Sequence, residues 1–186
     1  MAAVFAVACG LLAGGALAAP AADLVTSLPG WGAPLTTTYS GYLDIQSPAG
    51  PKHLHYLLYT AQGQVTPSTP LTVWFNGGPG CSSMEGAFQE SGPLWTAPGG
   101  ATLQRNDYSF NKFAHTMYLE APACVGFSKA DRLAGCAHND NSTAADNLAA
   151  LQAFFVLFPE LSPSPLWLNG ESYAGLYAAR VPPSPL

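Results

Sequence analysis

One segment constrains the fold of this chain more than any other: a short apolar strand that runs through a serine turn into a helix. Residues 165–169 are mostly apolar, and the residues after the turn are rich in Ala and Tyr as far as Pro182. A sharp strand-to-helix turn around a serine needs small flanking residues, because the two backbones approach closely. Gly170 and Ala174 meet that need, although Ala replaces the second Gly of the general G-x-S-x-G form. The pattern predicts a nucleophile elbow with Ser172 at its tip, and a plain buried turn is the alternative.

The remaining apolar runs predict the sheet that carries this turn. In residues 53–60, Leu and Tyr alternate with His in a way typical of a half-buried strand. Three short runs bounded by turn residues suit central strands covered on both faces, at 71–75, 116–119 and 166–168. A further strand is expected at 36–45.

A helix is expected between the strands at 116–119 and 166–168, over residues 144–158. Thr143 and Asp146 have the spacing of a capping box, and Pro159 marks the end. The apolar stripe consists of Leu148, Leu151, Phe155 and Phe158. Strand, helix and strand in this order predict an α/β fold with a parallel sheet.

A glycine-rich turn follows the strand at 71–75. Residues 76–83 are Asn-Gly-Gly-Pro-Gly-Cys-Ser-Ser, so backbone N–H groups can face a reacting carbonyl without a side chain in the way. A phosphate-binding loop is the alternative, but the GK[ST] ending and the G-x-G-x-x-G spacing are missing. Together with the serine turn, this segment favours nucleophilic catalysis with an oxyanion hole.

From residue 40 to residue 177 the chain resembles the serine carboxypeptidase family. The matching segments are residues 40–43, 52–56, 76–83, 90–93, 106 with 108–109, 118–122, 125–128 and 170–177. The resemblance implies an α/β-hydrolase fold, no cofactor, and removal of C-terminal residues from peptides and proteins through an acyl-enzyme. Two alternatives remain open: a carboxypeptidase-like acyltransferase that uses an alcohol acceptor, and a non-catalytic binding or chaperone-like protein.

The resemblance also implies site residues for catalysis. Ser172 would attack the scissile carbonyl, and the backbone N–H groups of Gly78 and Tyr173 would form the oxyanion hole. A serine nucleophile needs a His base and an orienting Asp, which α/β-hydrolases place later in the chain. Only 14 residues follow Ser172, none of them Asp or His, and the histidines that precede it are His53, His55, His115 and His138. We expect residues 23–186 to be the N-terminal part of such a domain, cut off after the elbow, as a truncated gene model or a splice variant would give.

The same resemblance implies a site for the substrate's C-terminal carboxylate. It would consist of the Asn76 side chain, the Gly77 N–H and the Glu171 carboxyl, with Glu90 as the partner of Glu171. Because two carboxylates repel each other unless one is protonated, we expect Glu171 to bind substrate in its protonated form. Activity should therefore be favoured at acidic pH.

The first 22 residues predict a secretory signal peptide. They carry no charged side chain, contain an apolar run at 4–17 and offer an A-x-A site at 16–18. A transmembrane anchor is the alternative, but the run is short and interrupted by glycines. We expect no membrane span after cleavage, a place in the secretory pathway (vacuole, lysosome or cell exterior), and glycosylation at Asn141 in the sequon 141–143.

Cleavage would leave an odd number of cysteines: Cys81, Cys124 and Cys136. By the resemblance, Cys81 pairs with a cysteine far downstream. Cys124 and Cys136 could bridge each other, which spacing alone does not decide. The cysteines match no zinc pattern, so no metal is expected.

Composition excludes other classes of protein. Hydrophobic residues make up 48% of the 186 residues and charged residues only 9%, which fits one folded domain and not a disordered chain. The net charge of −5, without a basic cluster, argues against nucleic acid as a partner. The expected partners are the C-termini of peptide or protein substrates, and the sequence leaves the oligomeric state open.

Overall fold

A six-stranded mixed sheet organises residues 19–181, the part of the chain that this computed structural model describes. The strands are β1 (Thr38–Ser47), β2 (Gly50–Tyr59), β3 (Leu71–Phe75), β4 (Leu94–Thr96), β5 (Leu103–Arg105), β6 (His115–Leu119), β7 (Lys129–Ala130) and β8 (Leu166–Gly170). The main sheet has the order β1-β2-β6-β3-β8, with β7 paired to β2, whereas β4 and β5 form a separate ribbon. β3 runs parallel to both β6 and β8, so the predicted α/β class is confirmed, whereas β2 pairs antiparallel with β1, β6 and β7 and the sheet as a whole is mixed.

Helices connect these strands. They are α1 (Ser83–Glu85), which continues as a π-helical turn (Gly86–Glu90), α2 (Asp140–Leu157) and α3 (Ala174–Ala179). Short 3-10 turns lie at Ala21–Asp23, Phe110–Lys112, Leu133–Cys136 and Pro159–Leu161. Within residues 19–181, none of the helices combines the length and apolar character that crossing a membrane requires.

The predicted start of α2 was wrong. The helix begins at Asp140 with a capping box in which the Asn139 side chain accepts from the Ser142 N–H at 3.0 Å and Ser142 Oγ accepts from the Asn139 N–H at 3.0 Å. Thr143, the predicted cap, is buried inside the first turn. Asp146 instead accepts from Lys52 Nζ at 2.5 Å.

The predicted apolar stripe of α2 was partly wrong. Leu151 and Phe158 are buried as expected, but Leu148 and Phe155 are only half-buried, and Phe154 takes the central position. The rings of Phe154 and Phe158 stack at 4.7 Å between centroids and meet Tyr56 of the sheet edge-on. The buried face of α2 is therefore centred on Asn147, Ala150, Leu151 and Phe154, and it is offset from the stripe read from the sequence.

Two predictions about strand burial were also wrong. β2 is covered on both faces from Leu54 to Tyr59, because α2 covers one face and α1 with its π-helical turn lies near the other. β8 lies at the end of the strand order, and 63% of Trp167 is exposed, so β8 is an edge strand of the described sheet. Edge strands present unpaired backbone groups, which favours aggregation unless something covers them.

The possible disulfide between Cys124 and Cys136 is present, with 5.5 Å between the Cα atoms. Cys81 is a free, exposed cysteine. Residues 1–18 of the predicted signal peptide, and the predicted helix stop at Pro182, lie outside the described residues.

Candidate active site

The turn between β8 and α3 has the backbone of a strained strand-to-helix junction. Ser172 is exposed and has φ +53°, a left-handed conformation that costs a non-glycine residue about 1–3 kcal/mol. The Glu171 N–H donates to Phe75 O at 3.1 Å, and the Ala174 N–H donates back to Glu171 O at 3.0 Å. A Cβ at Gly170 would lie 2.7 Å from the carbonyl carbon of Ala174, so the residue must be glycine where strand and helix approach. This geometry is that of the predicted elbow (residues 170–175).

The glycine turn (residues 76–83) lies directly against the elbow. A Cβ on Gly77 would lie 2.7 Å from Glu171 O, 2.8 Å from Tyr173 N and 3.0 Å from Ser172 Cβ. Gly78 has φ +107°, and the Cys81 N–H donates to Gly77 O at 3.0 Å to close the turn. The structure therefore brings together the two segments that carry the predicted oxyanion-hole residues, Gly78 and Tyr173.

Hydrogen bonds fix the Asn76 side chain. Oδ1 accepts from Trp74 Nε1 at 2.8 Å and from the Gly86 N–H at 3.1 Å, while Nδ2 donates to Glu90 Oε1 at 3.0 Å. Because the indole can only donate, Oδ1 must face Trp74 and Nδ2 must face Glu90. Tyr177 Oη donates to the backbone carbonyl of Asn76 at 2.6 Å. Asn76 and Glu90, both predicted to bind the substrate carboxylate, are thus direct partners.

The other predicted carboxylate-binding residues lie at the elbow. Gly77 is buried against it, and Glu171 is exposed. No hydrogen bond among the described residues joins the Glu171 side chain to Glu90, so that pairing stays a prediction.

A polar cluster that the sequence did not indicate lies beside the elbow. Tyr173 Oη donates to Asp140 Oδ1 at 2.9 Å, a bond that raises the pKa of Tyr173. Arg180 Nη2 lies 3.4 Å from Asp140 Oδ2, and Nη1 donates to Asn141 Oδ1 at 3.1 Å. These residues and Pro79 line a cleft of about 540 Å³. Asn141, the predicted glycosylation site, is exposed in the first turn of α2.

The four histidines contact groups other than Ser172. His53 lies 2.6 Å from Asp44 and 3.0 Å from Asp131, and these carboxylates raise its pKa. Burial lowers the pKa of His115. His55 lies 3.0 Å from the buried Glu120, and His138 Nε2 lies 2.8 Å from a backbone carbonyl. Between residues 19 and 181, no hydrogen bond joins a histidine to Ser172, and no group of three or more His, Cys, Asp or Glu side chains could hold a metal ion.

The chain matches known proteins over most of its length. A family model described as serine carboxypeptidase matches residues 29–182. The chain is 44% identical to the lysosomal protective protein of Mus musculus over 161 residues, which are 86% of this chain and 33% of the relative. It is 42% identical to serine carboxypeptidase ctsa-4.1 of Caenorhabditis elegans over 87% of this chain and 33% of the relative. The chain thus spans about a third of the length of these relatives.

A solved structure agrees with the fold. The prohormone-processing carboxypeptidase Kex1(delta)p of Saccharomyces cerevisiae superposes with a TM-score of 0.66 at 26% identity, over 78% of this chain and 33% of that one. The order and direction of the strands, the elbow after β8 and this superposition agree on an α/β-hydrolase fold. By its sequence match and its structure, the chain belongs to the serine carboxypeptidase family.

Proposed function

We propose that this chain is the N-terminal part of a serine-type carboxypeptidase of the secretory pathway. The observation that carries the proposal is the contact of the glycine turn with the elbow, where the Gly77 backbone packs on Ser172 and Tyr173. A nucleophile, two candidate oxyanion donors and a buried amide that can bind a carboxylate lie in these two segments. Ser172 attacks the scissile carbonyl, and the N–H groups of Gly78 and Tyr173 stabilise the oxyanion.

The reaction runs in two halves. Ser172 Oγ forms a bond to the carbonyl carbon while its proton passes to a base, and the C–N bond breaks as the C-terminal residue leaves with that proton. Water then attacks the acyl-enzyme, releases the shortened peptide and restores the serine. Since no described histidine reaches Ser172, we propose that the base and its orienting Asp belong to a longer product of the same gene.

The preference for a C-terminus comes from the carboxylate site. Asn76 Nδ2 already donates one hydrogen to Glu90, and its second hydrogen is available for a substrate carboxylate. Glu171 is exposed beside the nucleophile, and because two carboxylates repel each other it can donate to a substrate carboxylate only when it carries a proton. This arrangement predicts activity favoured at acidic pH and favours a peptide C-terminus over the alternative acyltransferase and binding functions.

The test begins with the transcript beyond the Leu186 codon. We expect an open frame that supplies Asp, His and cysteine residues, and we expect its product to react with a fluorophosphonate at Ser172. This product should release the last residue of a peptide acid but not of the matching peptide amide, and S172A should abolish both labelling and release. A product that contains the Asp and His yet remains unlabelled would refute the proposal, and transfer to alcohols in preference to water would identify an acyltransferase.

A further inference from the structure

A buried carboxylate lies beneath the glycine turn, and the proposed reaction does not use it. Glu120 follows β6, is 0% exposed and forms no ion pair with a Lys or Arg of residues 19–181. A buried charge of this kind is costly unless hydrogen bonds compensate for it. The groups that donate hydrogen bonds to the Glu120 carboxylate therefore indicate its role.

Three separate chain segments donate to this carboxylate. Ser82 Oγ, at the end of the glycine turn, donates to Oε1; His55 Nδ1 of β2 lies 3.0 Å from Oε2; and the Phe127 N–H donates to Oε2 at 2.8 Å. Burial by itself raises the pKa of Glu120, but the hydrogen bonds from His55, Ser82 and Phe127 lower it by more, so the net pKa is below the ordinary value. Glu120 is therefore a hydrogen-bonded anion at neutral pH.

The backbone around the carboxylate fits it closely. Gly126 has φ +54°, and a Cβ at that position would overlap Glu120 Oε1, so a side chain there would expel the carboxylate. Ser128 Oγ donates to the Glu120 carbonyl at 2.6 Å and accepts from the His55 N–H at 2.8 Å. The turn after β6 is thus shaped around this one side chain.

Ser82 links Glu120 to the glycine turn through its hydroxyl group. Its hydroxyl donates to Glu120 and also accepts from the Met84 N–H at 3.1 Å, which caps α1. The next residue, Ser83, donates to Leu119 O at 2.7 Å and accepts from the Asn76 N–H at 3.1 Å. The far end of the turn that carries Gly78 is therefore fastened to the end of β6.

We propose that Glu120, acting through Ser82, is a positioning residue that holds the glycine turn in the geometry needed at the Ser172 elbow. This inference rests on the proposed function, because it deepens the role of the same site. Gly78 has an exposed backbone with positive φ, and one hydrogen bond within the turn, from the Cys81 N–H to Gly77 O, closes it. Without the Ser82 anchor, the turn would keep the attachment that Ser83 makes to Leu119 and Asn76, but it would lose the hydrogen bond that joins its end to the Glu120 carboxylate.

The test uses the 186-residue chain and the exchange rate of the Cys81 amide hydrogen, which reports on closure of the turn. S82A and E120Q should each speed this exchange on the order of tenfold, since each weakens a charge-assisted hydrogen bond. S82T keeps the hydroxyl and should restore the wild-type rate. The matched control is S128A, which removes a buried serine hydroxyl that touches Glu120 and His55 but not the glycine turn.

The outcomes separate a positioning role from general support of the fold. Faster Cys81 exchange in S82A and E120Q, with S128A like wild type, supports the proposal; unchanged exchange, or an equal effect in S128A, overturns it. Should S82A fail to fold, S82T and E120Q decide in the same assay. Exchange is read equally well in an S172A background, so the result stands whether or not Ser172 proves to be a nucleophile.

A kinetic measurement follows in the longer product, if that product is active. S82A should lower kcat on a peptide acid about tenfold and leave KM within about twofold, because the oxyanion geometry is disturbed while Asn76 and Glu90 are unchanged. A raised KM with unchanged kcat would overturn the positioning role. An inactive wild-type product would refute the proposed function, and the exchange result would still decide the role of Glu120.

Discussion

Replacing Gly77 by alanine tests the contact on which the candidate active site depends. The new methyl group would lie 2.7 Å from Glu171 O, 2.8 Å from Tyr173 N and 3.0 Å from Ser172 Cβ. Two of these neighbours are backbone atoms, so no rotamer change can relieve the overlap, and the turn and elbow must move apart. Overpacking of this kind typically costs 1–3 kcal/mol, and we expect a loss of about 2 kcal/mol in the free energy of unfolding.

Gly175 provides a matched control in the same elbow. It is exposed in α3, a Cβ there would meet nothing within 4 Å, and its φ is not positive. G175A should therefore stabilise the chain by about 0.4–1 kcal/mol, because alanine reduces the entropy of the unfolded chain and favours the helix. The two variants make the same chemical change on the two segments that meet at the site, and they should shift stability in opposite directions.

The assay is thermal unfolding of the 186-residue chain followed by far-ultraviolet circular dichroism. For a chain of this length, 1 kcal/mol corresponds to about 2–4 °C in Tm. G77A should thus lower Tm by about 4–8 °C, and G175A should raise it by about 1–4 °C. If the Tm of G77A equals that of G175A or exceeds that of wild type, the glycine turn does not pack against the elbow, and the reasoning about the site fails.

Three further predictions address the substrate site and the scaffold. In the longer product, E171Q should flatten the fall of kcat/KM at alkaline pH, because a neutral amide still donates to the substrate carboxylate; an unchanged pH profile would remove Glu171 from the site. Equilibrium unfolding in urea should show that K52M loses about 3–5 kcal/mol by leaving Asp146 buried without its partner, and that K52M/D146L recovers most of it. The C124S/C136S variant should lose about 3 kcal/mol, given the sequence separation of 12; a loss below 1 kcal/mol would show that the bridge constrains little.

The elbow and the glycine turn could be predicted because their residue types encode backbone geometry locally. Gly170 is required where the strand and helix approach, and Gly78 adopts a positive φ. Neither requirement depends on the rest of the sheet. β3 was predicted at the observed residues, 71–75, because a glycine turn directly follows it. The observed ends of the other predicted strands differ from the predicted ends by up to three residues.

The start of α2 and the partners of the buried charges could not be predicted in this way. Thr143 and Asn139 are each followed three residues later by a polar side chain that could complete a capping box, and only the structure shows that Asn139 and Ser142 form it. Asp146 lies at a capping distance from Thr143 in sequence, yet its partner is Lys52 on β2, 94 residues away. The sequence also does not indicate the role of Glu120, because its three hydrogen-bond donors come from β2, the glycine turn and the turn after β6.

The sequence by itself thus determined the fold class, the family resemblance and the identity of the serine turn, since periodicity and small residues act over a few positions. The tertiary structure alone decided that β2 is covered on both faces and that β8 lies at an edge of the described sheet. It also decided that the Ser82 hydroxyl donates to the buried Glu120. The physical reason is that burial, and the partner of a buried charge, depend on which distant segments pack together, and short-range patterns in a sequence do not record this.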